Sequence, residues 1–187
     1  MVVYILWIQA DLEGVSRMIL QDSADLCVTV RNPLDHSQVR ERIVIDPSAL
    51  EDAAPSSAAH HHAKHAPTPC HLSLKWTPDA TERATIRVWN TKNADELFAK
   101  HHKKNQTARL TTQYTADDSG KRVPVLALEC EGHVEPIKWH LMGHEFVVTT
   151  MAGQQHGNLD WNDTDTWTAY DLASGSTTIA NFKAFFE

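Results

Sequence analysis

The sequence has few cysteines, and they are scattered. Cys27, Cys70 and Cys130 are the only three among 187 residues. An odd and widely spaced set argues against a disulfide framework and favours a reducing, intracellular location. No two of these cysteines have the Cys-x-x-Cys spacing of a thiolate zinc site.

Long apolar runs and excess positive charge are also missing. The opening apolar stretch, Val2–Ile8, has seven residues, far fewer than the roughly 20 that a spanning helix needs. It lacks a basic region and a cleavage site, so we expect neither a signal peptide nor a membrane span. Acidic residues outnumber basic ones by 24 to 17, for a formal net charge of −7. Neither nucleic acid nor a membrane surface is therefore expected as a partner.

Catalytic motifs are equally scarce. There is no Gly-rich phosphate loop and no Gly-x-Ser-x-Gly nucleophile elbow. Cys130 and His133 could suggest a thiol nucleophile, but a predicted Gly turn separates them and a buried structural cysteine is favoured. His140 and His144 have a helical zinc spacing, yet Gly143 between them favours a structural turn. The sequence therefore predicts a protein that is not an enzyme and has no cofactor.

Many short segments with β periodicity are present. Most alternate apolar and polar residues or are rich in β-branched and aromatic ones, and turn signals separate them. One short helix is predicted over Ala94–His101, opened by Asn93 or Asp95. We predict an all-β fold of two small twisted antiparallel sheets packed together, with at most one short helix. The predicted strands are Val2–Ala10, Leu26–Val30, Val39–Ile45, His71–Trp76, Thr85–Trp89, Val123–Cys130, Ile137–Leu141, Glu145–Thr150 and Thr177–Phe186.

An internal echo indicates how the chain is organised. Asp11–Gly14 and Glu129–Gly132 each place a Gly turn after an apolar strand, which predicts two duplicated β-sandwich-like halves. Ala53–Pro69 has no periodicity and is a predicted loop, and the polar segment Thr91–Gln106 is a predicted insertion. We expect one domain over residues 1–187, with halves at about 1–90 and about 113–187 and an insertion at about 91–112.

The most metal-like feature is a histidine run formed by His60, His61, His62 and His65. Imidazoles at this density bind zinc, copper or nickel readily. The alternative interpretation is a flexible low-complexity loop with only adventitious affinity. The residues alone leave both interpretations open.

Four segments, in order along the chain, carry a resemblance to a known family. Ala10–Val15 is similar to its opening strand and turn. Tyr114–Asp118 and Leu126–Pro136 are similar to an acidic turn and a strand ending in Glu-Cys-x-Gly and then Glu-Pro. Trp167–Asp171 matches a Trp-x-x-Tyr-Asp pattern near the family's end. The chain thus resembles the eukaryotic CXXC-motif zinc-binding proteins. The resemblance implies one zinc held by two Cys-x-x-Cys hairpins, and an association with copper-chaperone machinery.

This sequence departs from the family at its zinc ligands. The resemblance places the first pair at Asn32 and Asp35 and the second at Trp76 and Asp79. An amide is a weak ligand, an indole cannot ligate, and two carboxylates do not make a thiolate cage. We therefore expect a divergent member without structural zinc. Either packing of Trp76 or a partner that clamps the hairpin tips would replace the lost stabilisation.

The expected function is non-catalytic. We expect a structural or scaffolding protein that binds other proteins in a larger cytoplasmic assembly, such as a cytoskeletal, flagellar or organellar complex. Trp161, Trp76, His60 and His65 are the interface candidates, and Trp161 could equally cover the core. The alternative is a zinc- or copper-handling protein that uses the histidine run in place of thiolates.

Overall fold

The computed structural model describes residues 1–52, 69–100, 109–161, 165–171 and 175–187. More than half of these residues lie in strands, and the described residues contain one α-helix, α1 (Ala94–Lys100), and one 3₁₀ turn. The predicted all-β fold with a single short helix is thereby confirmed. In chain order the strands are β1 (Val2–Glu13), β2 (Val15–Leu20), β3 (Leu26–Asn32), β4 (Asp35–Ile45), β5 (Glu51–Asp52), β6 (Pro69–Cys70), β7 (Leu72–Leu74), β8 (Ala84–Trp89), β9 (Gln113–Thr115), β10 (Val123–Glu131), β11 (Glu135–His140), β12 (Phe146–Thr150), β13 (Gln155–His156), β14 (Trp167–Asp171) and β15 (Gly175–Phe186).

Several strands do not show the alternation of apolar and polar residues on which strand prediction depends, and β2 is an example. Arg17 pairs with Thr149, but Val15 pairs with Thr150, so Ser16 is an extra residue at a bulge. A bulge interrupts the alternation of buried and exposed positions on which sequence prediction depends. Most of the predicted loop at Ala53–Pro69 lies outside the described residues.

The strands form more sheets than the two expected, and all the pairings are antiparallel. The largest sheet has the order β14-β15-β1-β10-β8-β7, and each half of the sequence contributes three of its strands. The smaller sheets have the orders β11-β3-β4, β13-β12-β2-β9 and β5-β6. Bulges in β4, β10, β11 and β15 shift the registers. Because bulges increase local twist, they favour several small sheets over two broad ones.

The sheet orders reveal a duplication. Exchanging β1 with β10, β15 with β8 and β14 with β7 maps the six-stranded sheet onto itself. The same operation carries β11-β3-β4 onto β2-β12-β13. The two halves are therefore related by an approximate two-fold operation and exchange strands, as the internal echo predicted.

The glycines of the echo occupy equivalent turns. Gly14 follows β1 with φ +68°, and an added Cβ would lie 3.1 Å from the carbonyl oxygen of Ser176 at the start of β15. Gly132 follows β10 with φ +72°, and its Cβ would lie 2.2 Å from the carbonyl oxygen of Arg83, just before β8. Both turns need glycine because the backbone is left-handed and another chain segment passes close by.

The six-stranded sheet buries both of its faces. Leu6, Ile8 and Leu128 belong to the main core. Trp89 and Ala127 instead lie in a smaller cluster with Leu97 of α1. This second layer explains why β10 contains a continuous buried run rather than a simple alternation.

Candidate functional site

The β3–β4 hairpin carries the first pair of positions that the resemblance assigns to zinc. Asn32 pairs with Asp35, so Pro33 and Leu34 form the exposed tip. The Oδ1 atom of Asn32 accepts a hydrogen bond from the Leu34 amide at 3.0 Å, and its Nδ2 donates to Gln38 Oε1 at 2.9 Å. Both polar atoms of Asn32 are thus used within their own hairpin.

The Asp35 carboxylate is engaged in the same way. Its Oδ1 accepts hydrogen bonds from the Ser37 amide at 3.0 Å and from the Ser37 hydroxyl at 2.7 Å. These bonds, the hydroxyl's first, lower the pKa of Asp35. The carboxylate therefore organises the start of β4. To bind an ion through Oδ1, Asp35 would have to give up these two hydrogen bonds.

Trp76 holds the second position and joins three segments. It lies between β7 and β8, half-buried, and packs against the main core. Its indole Nε1 donates a hydrogen bond to the main-chain carbonyl oxygen of His133 at 3.0 Å. Its own carbonyl oxygen accepts a hydrogen bond from Arg40 Nη2 on β4, also at 3.0 Å. One residue thus connects the β7–β8 turn with β4 and with the β10–β11 turn.

Asp79, the fourth position, is exposed. A hydrogen bond from the Thr77 side chain is the main cause that lowers its pKa. Asn32, Asp35 and Asp79 are all engaged in local turn contacts, and the indole of Trp76 offers no lone pair to a metal. The residues at these positions therefore do not fit the tetrahedral thiolate zinc of the family.

An ion pair completes this end of the molecule, which we call the hairpin end: the β3–β4 tip, the β7–β8 turn and the β10–β11 turn. Arg31 on β3 and Glu135 on β11 are direct cross-strand partners. The Arg31 Nη2 and Nε atoms donate to Glu135 Oε2 at 2.7 and 3.1 Å. Because both side chains are about one-quarter to one-third exposed, this pair adds a modest stabilisation.

The cysteines are buried within strands rather than gathered at the hairpin end. Cys27, Cys70 and Cys130 lie in β3, β6 and β10 and are 2–3% exposed. Burial, reinforced by the charge of Glu129, raises the pKa of Cys130 to about 12. A thiol of this pKa stays protonated at neutral pH, so Cys130 is not a nucleophile activated by His133. The structural interpretation of Cys130 agrees with this geometry.

Trp161 lies in the core rather than at the surface. Its side chain is 9% exposed, and its ring centroid lies 5.0 Å from that of Phe182. Burial of this extent leaves little area for a partner. Of the two roles predicted for Trp161, covering the core is the one that agrees with its position. Two further interface candidates, His60 and His65, lie outside the described residues, and so do His61 and His62.

Sequence reasoning did not assign to the hairpin end three residues that build it. Arg40, His133 and Glu135 bind across segments that are far apart in the chain. His133 has a φ of +61°, a conformation that few residues other than glycine adopt. The preceding Gly132 was the available sequence signal for this turn, because glycine is typical of tight turns with left-handed backbone. The turn leaves the His133 carbonyl oxygen available to Trp76.

Two surveys of the described residues bear on function. No group of three or more His, Cys, Asp or Glu side chains there could hold a metal ion. Within the same residues, no helix has the length and apolar character required to cross a bilayer.

Comparisons with known proteins give the same fold across the whole chain. A structure described as a hypothetical protein from Plasmodium falciparum is 18% identical, with a TM-score of 0.72 and complete coverage of both chains. The crystal structure of C1orf123 is 13% identical, with a TM-score of 0.69, and covers 100% of this chain and 99% of that one. The comparison with curated proteins gives no match.

The family model of the eukaryotic CXXC motif containing zinc binding proteins matches residues 5–187. The match spans both halves, including the two hairpin turns in which this chain has no cysteine. The chain therefore belongs to the eukaryotic CXXC motif containing zinc binding protein family, as a divergent member without the CXXC cysteines.

Proposed function

We propose that this protein is a non-catalytic, protein-binding subunit of a larger cytoplasmic assembly, in which the family's zinc hairpins serve as a metal-independent docking end. The observation that carries the proposal is Trp76, whose indole and carbonyl groups bind the β10–β11 turn and β4 at 3.0 Å each. Where relatives use thiolates, this chain uses packing and hydrogen bonds. Shape and surface are thereby retained while the metal chemistry is lost.

The β3–β4 tip supplies the surface for a partner. Leu34 is 73% exposed and stands beside the exposed Pro33. The Asn32 and Asp35 turns on either side hold this apolar tip in one conformation. A preorganised apolar tip loses little conformational entropy on binding, which favours a protein partner.

Co-purification from cells that produce the tagged protein tests this proposal. We expect identified partner proteins at constant stoichiometry with the wild type, and their loss with Leu34→Asp. Tyr170→Asp is the matched control, because Tyr170 is 74% exposed on β14, outside the hairpin end. Recovery of the wild type only as a 21 kDa monomer, or equal recovery of partners with both variants, would contradict the proposal.

Metal analysis separates this proposal from the metal-handling alternative. We expect the tag-free protein to contain less than stoichiometric zinc and copper, and its melting temperature to be unchanged by a chelator. Stoichiometric metal that disappears when His60, His61, His62 and His65 are replaced with Ala would instead support the alternative.

A further inference from the structure

A cleft of about 510 Å³ opens between β11 and β15. Volumes of roughly 300–1,000 Å³ are typical of small-molecule sites. Arg42, Lys138, His140 and Lys183 line it, and Asp165 is the only carboxylate among its described lining residues. Leu141 and Phe185, both partly exposed, provide apolar wall.

The cleft concentrates positive charge in an acidic protein. The chain carries a net charge of −7, yet the described lining residues of this cleft include three formal cations against one acid. Within the described part of the chain, Arg42, Lys138 and Lys183 make no salt bridge with a carboxylate. Because neutralising such charges with an anion is favourable, the cleft is suited to a negatively charged ligand.

A closed hydrogen-bond network fixes Arg42 and His140. The Arg42 Nη1 atom lies 3.4 Å from His140 Nδ1, and the His140 Nε2 atom lies 2.7 Å from Thr29 Oγ1. A guanidinium can only donate, so His140 accepts at Nδ1 and donates from Nε2 to Thr29. The Arg42 amide closes the ring by donating to Thr29 Oγ1 at 3.4 Å.

Three bulged strands border the cleft. Between the pairs Val28–Ile43 and Val30–Arg40, β4 has an extra residue, and Arg42 there adopts a φ of +53°. Ile137 is the extra residue of β11. The third bulge, in β15, includes Asn181 with a φ of +52°. Bulges redirect side chains and are common beside binding sites, where left-handed conformations of ordinary residues also cluster.

We propose that this cleft is a binding site for a small phosphomonoester with an aromatic or apolar body. The phosphate dianion interacts with Arg42, Lys138 and Lys183, and the body packs on the partly exposed Leu141 and Phe185. A dianion is preferred over a carboxylate because, among the described lining residues, three cations face a single acid. This site is independent of the proposed docking end and uses none of its residues.

Titration of the protein with phenyl phosphate, followed by calorimetry and by the NMR signals of the His140 ring, tests the proposal. We expect saturable binding that shifts the His140 signals, with benzoate and inorganic phosphate at least about tenfold weaker. Saturable binding of benzoate or inorganic phosphate at equal affinity, or no shift at His140, would overturn it.

Charge-neutralising variants locate the site. Lys138→Gln and Lys183→Gln alter exposed side chains, so the fold is retained, and each should weaken phenyl phosphate binding about tenfold or less while the pair has a larger effect. Lys75→Gln, an exposed lysine outside the cleft, should leave the affinity unchanged. Equal affinity of the double variant and the wild type would overturn the proposal.

Discussion

The indole Nε1 of Trp76 donates to the carbonyl oxygen of His133 at 3.0 Å, across 57 positions of sequence. This bond joins two turns that the approximate two-fold operation does not relate to each other. Together with the Arg40 bond to the Trp76 carbonyl, it holds the hairpin end without metal.

Trp76→Phe should separate packing from hydrogen bonding. The phenyl ring retains much of the core contact but loses the bond to His133, so we expect a loss of about 0.5–1.5 kcal/mol in the free energy of unfolding. Trp76→Ala also loses the ring and should cost about 2–4 kcal/mol. Urea denaturation measures both. Equal costs for the two variants would show that the indole packing contributes nothing beyond the hydrogen bond.

Replacing glycine with alanine in three turns should lower the stability of the protein by different amounts. All three positions Gly132, Gly14 and Gly153 have positive φ, but an added Cβ lies 2.2 Å from backbone at Gly132, 3.1 Å at Gly14, and more than 4 Å from any neighbour at Gly153. Gly153→Ala should therefore cost only the left-handed strain, about 1–2 kcal/mol. Gly14→Ala should cost more, and Gly132→Ala should be the most destabilising, by about 1–3 kcal/mol beyond Gly153→Ala. Thermal melting gives the ranking, and a reversed order would contradict the turn geometry.

The cysteine environment predicts an inert native protein. Burial raises the pKa values of Cys130, to about 12, and of Cys70, and all three thiols are at most 3% exposed. We expect almost no reaction with a thiol reagent at pH 8 in the native state, and three equivalents after denaturation. Rapid native-state labelling that persists in a Cys27→Ser, Cys70→Ser variant would show that Cys130 is accessible.

The partly buried environment of His71 leads us to expect that the folded protein loses stability as the pH falls. Burial and the charge of Arg87 lower its pKa in the folded state, and its Nδ1 accepts a hydrogen bond from the Val88 amide at 2.9 Å. The unfolded chain then binds a proton at higher pH than the folded one. The contribution of His71 is therefore complete above the unfolded pKa of about 6.5 and is lost as the pH falls below it, until the lower folded pKa is reached.

The measurement is the free energy of unfolding at pH 7.5 and 5.5. His71→Asn preserves an acceptor for the Val88 amide without a titrating ring, so its drop between the two pH values should be smaller. His36→Asn, at an exposed histidine of β4, is the control. An identical drop in all three proteins would exclude His71 as a source of the pH dependence.

Local patterns predicted the long strands well and the irregular ones poorly. Alternation identified β8, and apolar enrichment identified β10, because their buried positions form a regular series. Neither pattern identified β2, because the bulge at Ser16 interrupts the two-residue period of that strand. Trp76 was predicted inside a strand but lies in the following turn, since its indole is held by His133 rather than by strand pairing.

The sequence by itself determined the β class, the duplication and the missing thiolates, because periodicity, turn glycines and residue identity are local properties. Only the tertiary structure decided that Trp76 meets His133 and that Arg42 meets His140. These partners are 57 and 98 positions apart, and strand order and bulges bring them together. Contacts of that range depend on how the halves exchange strands, which no short stretch of sequence encodes.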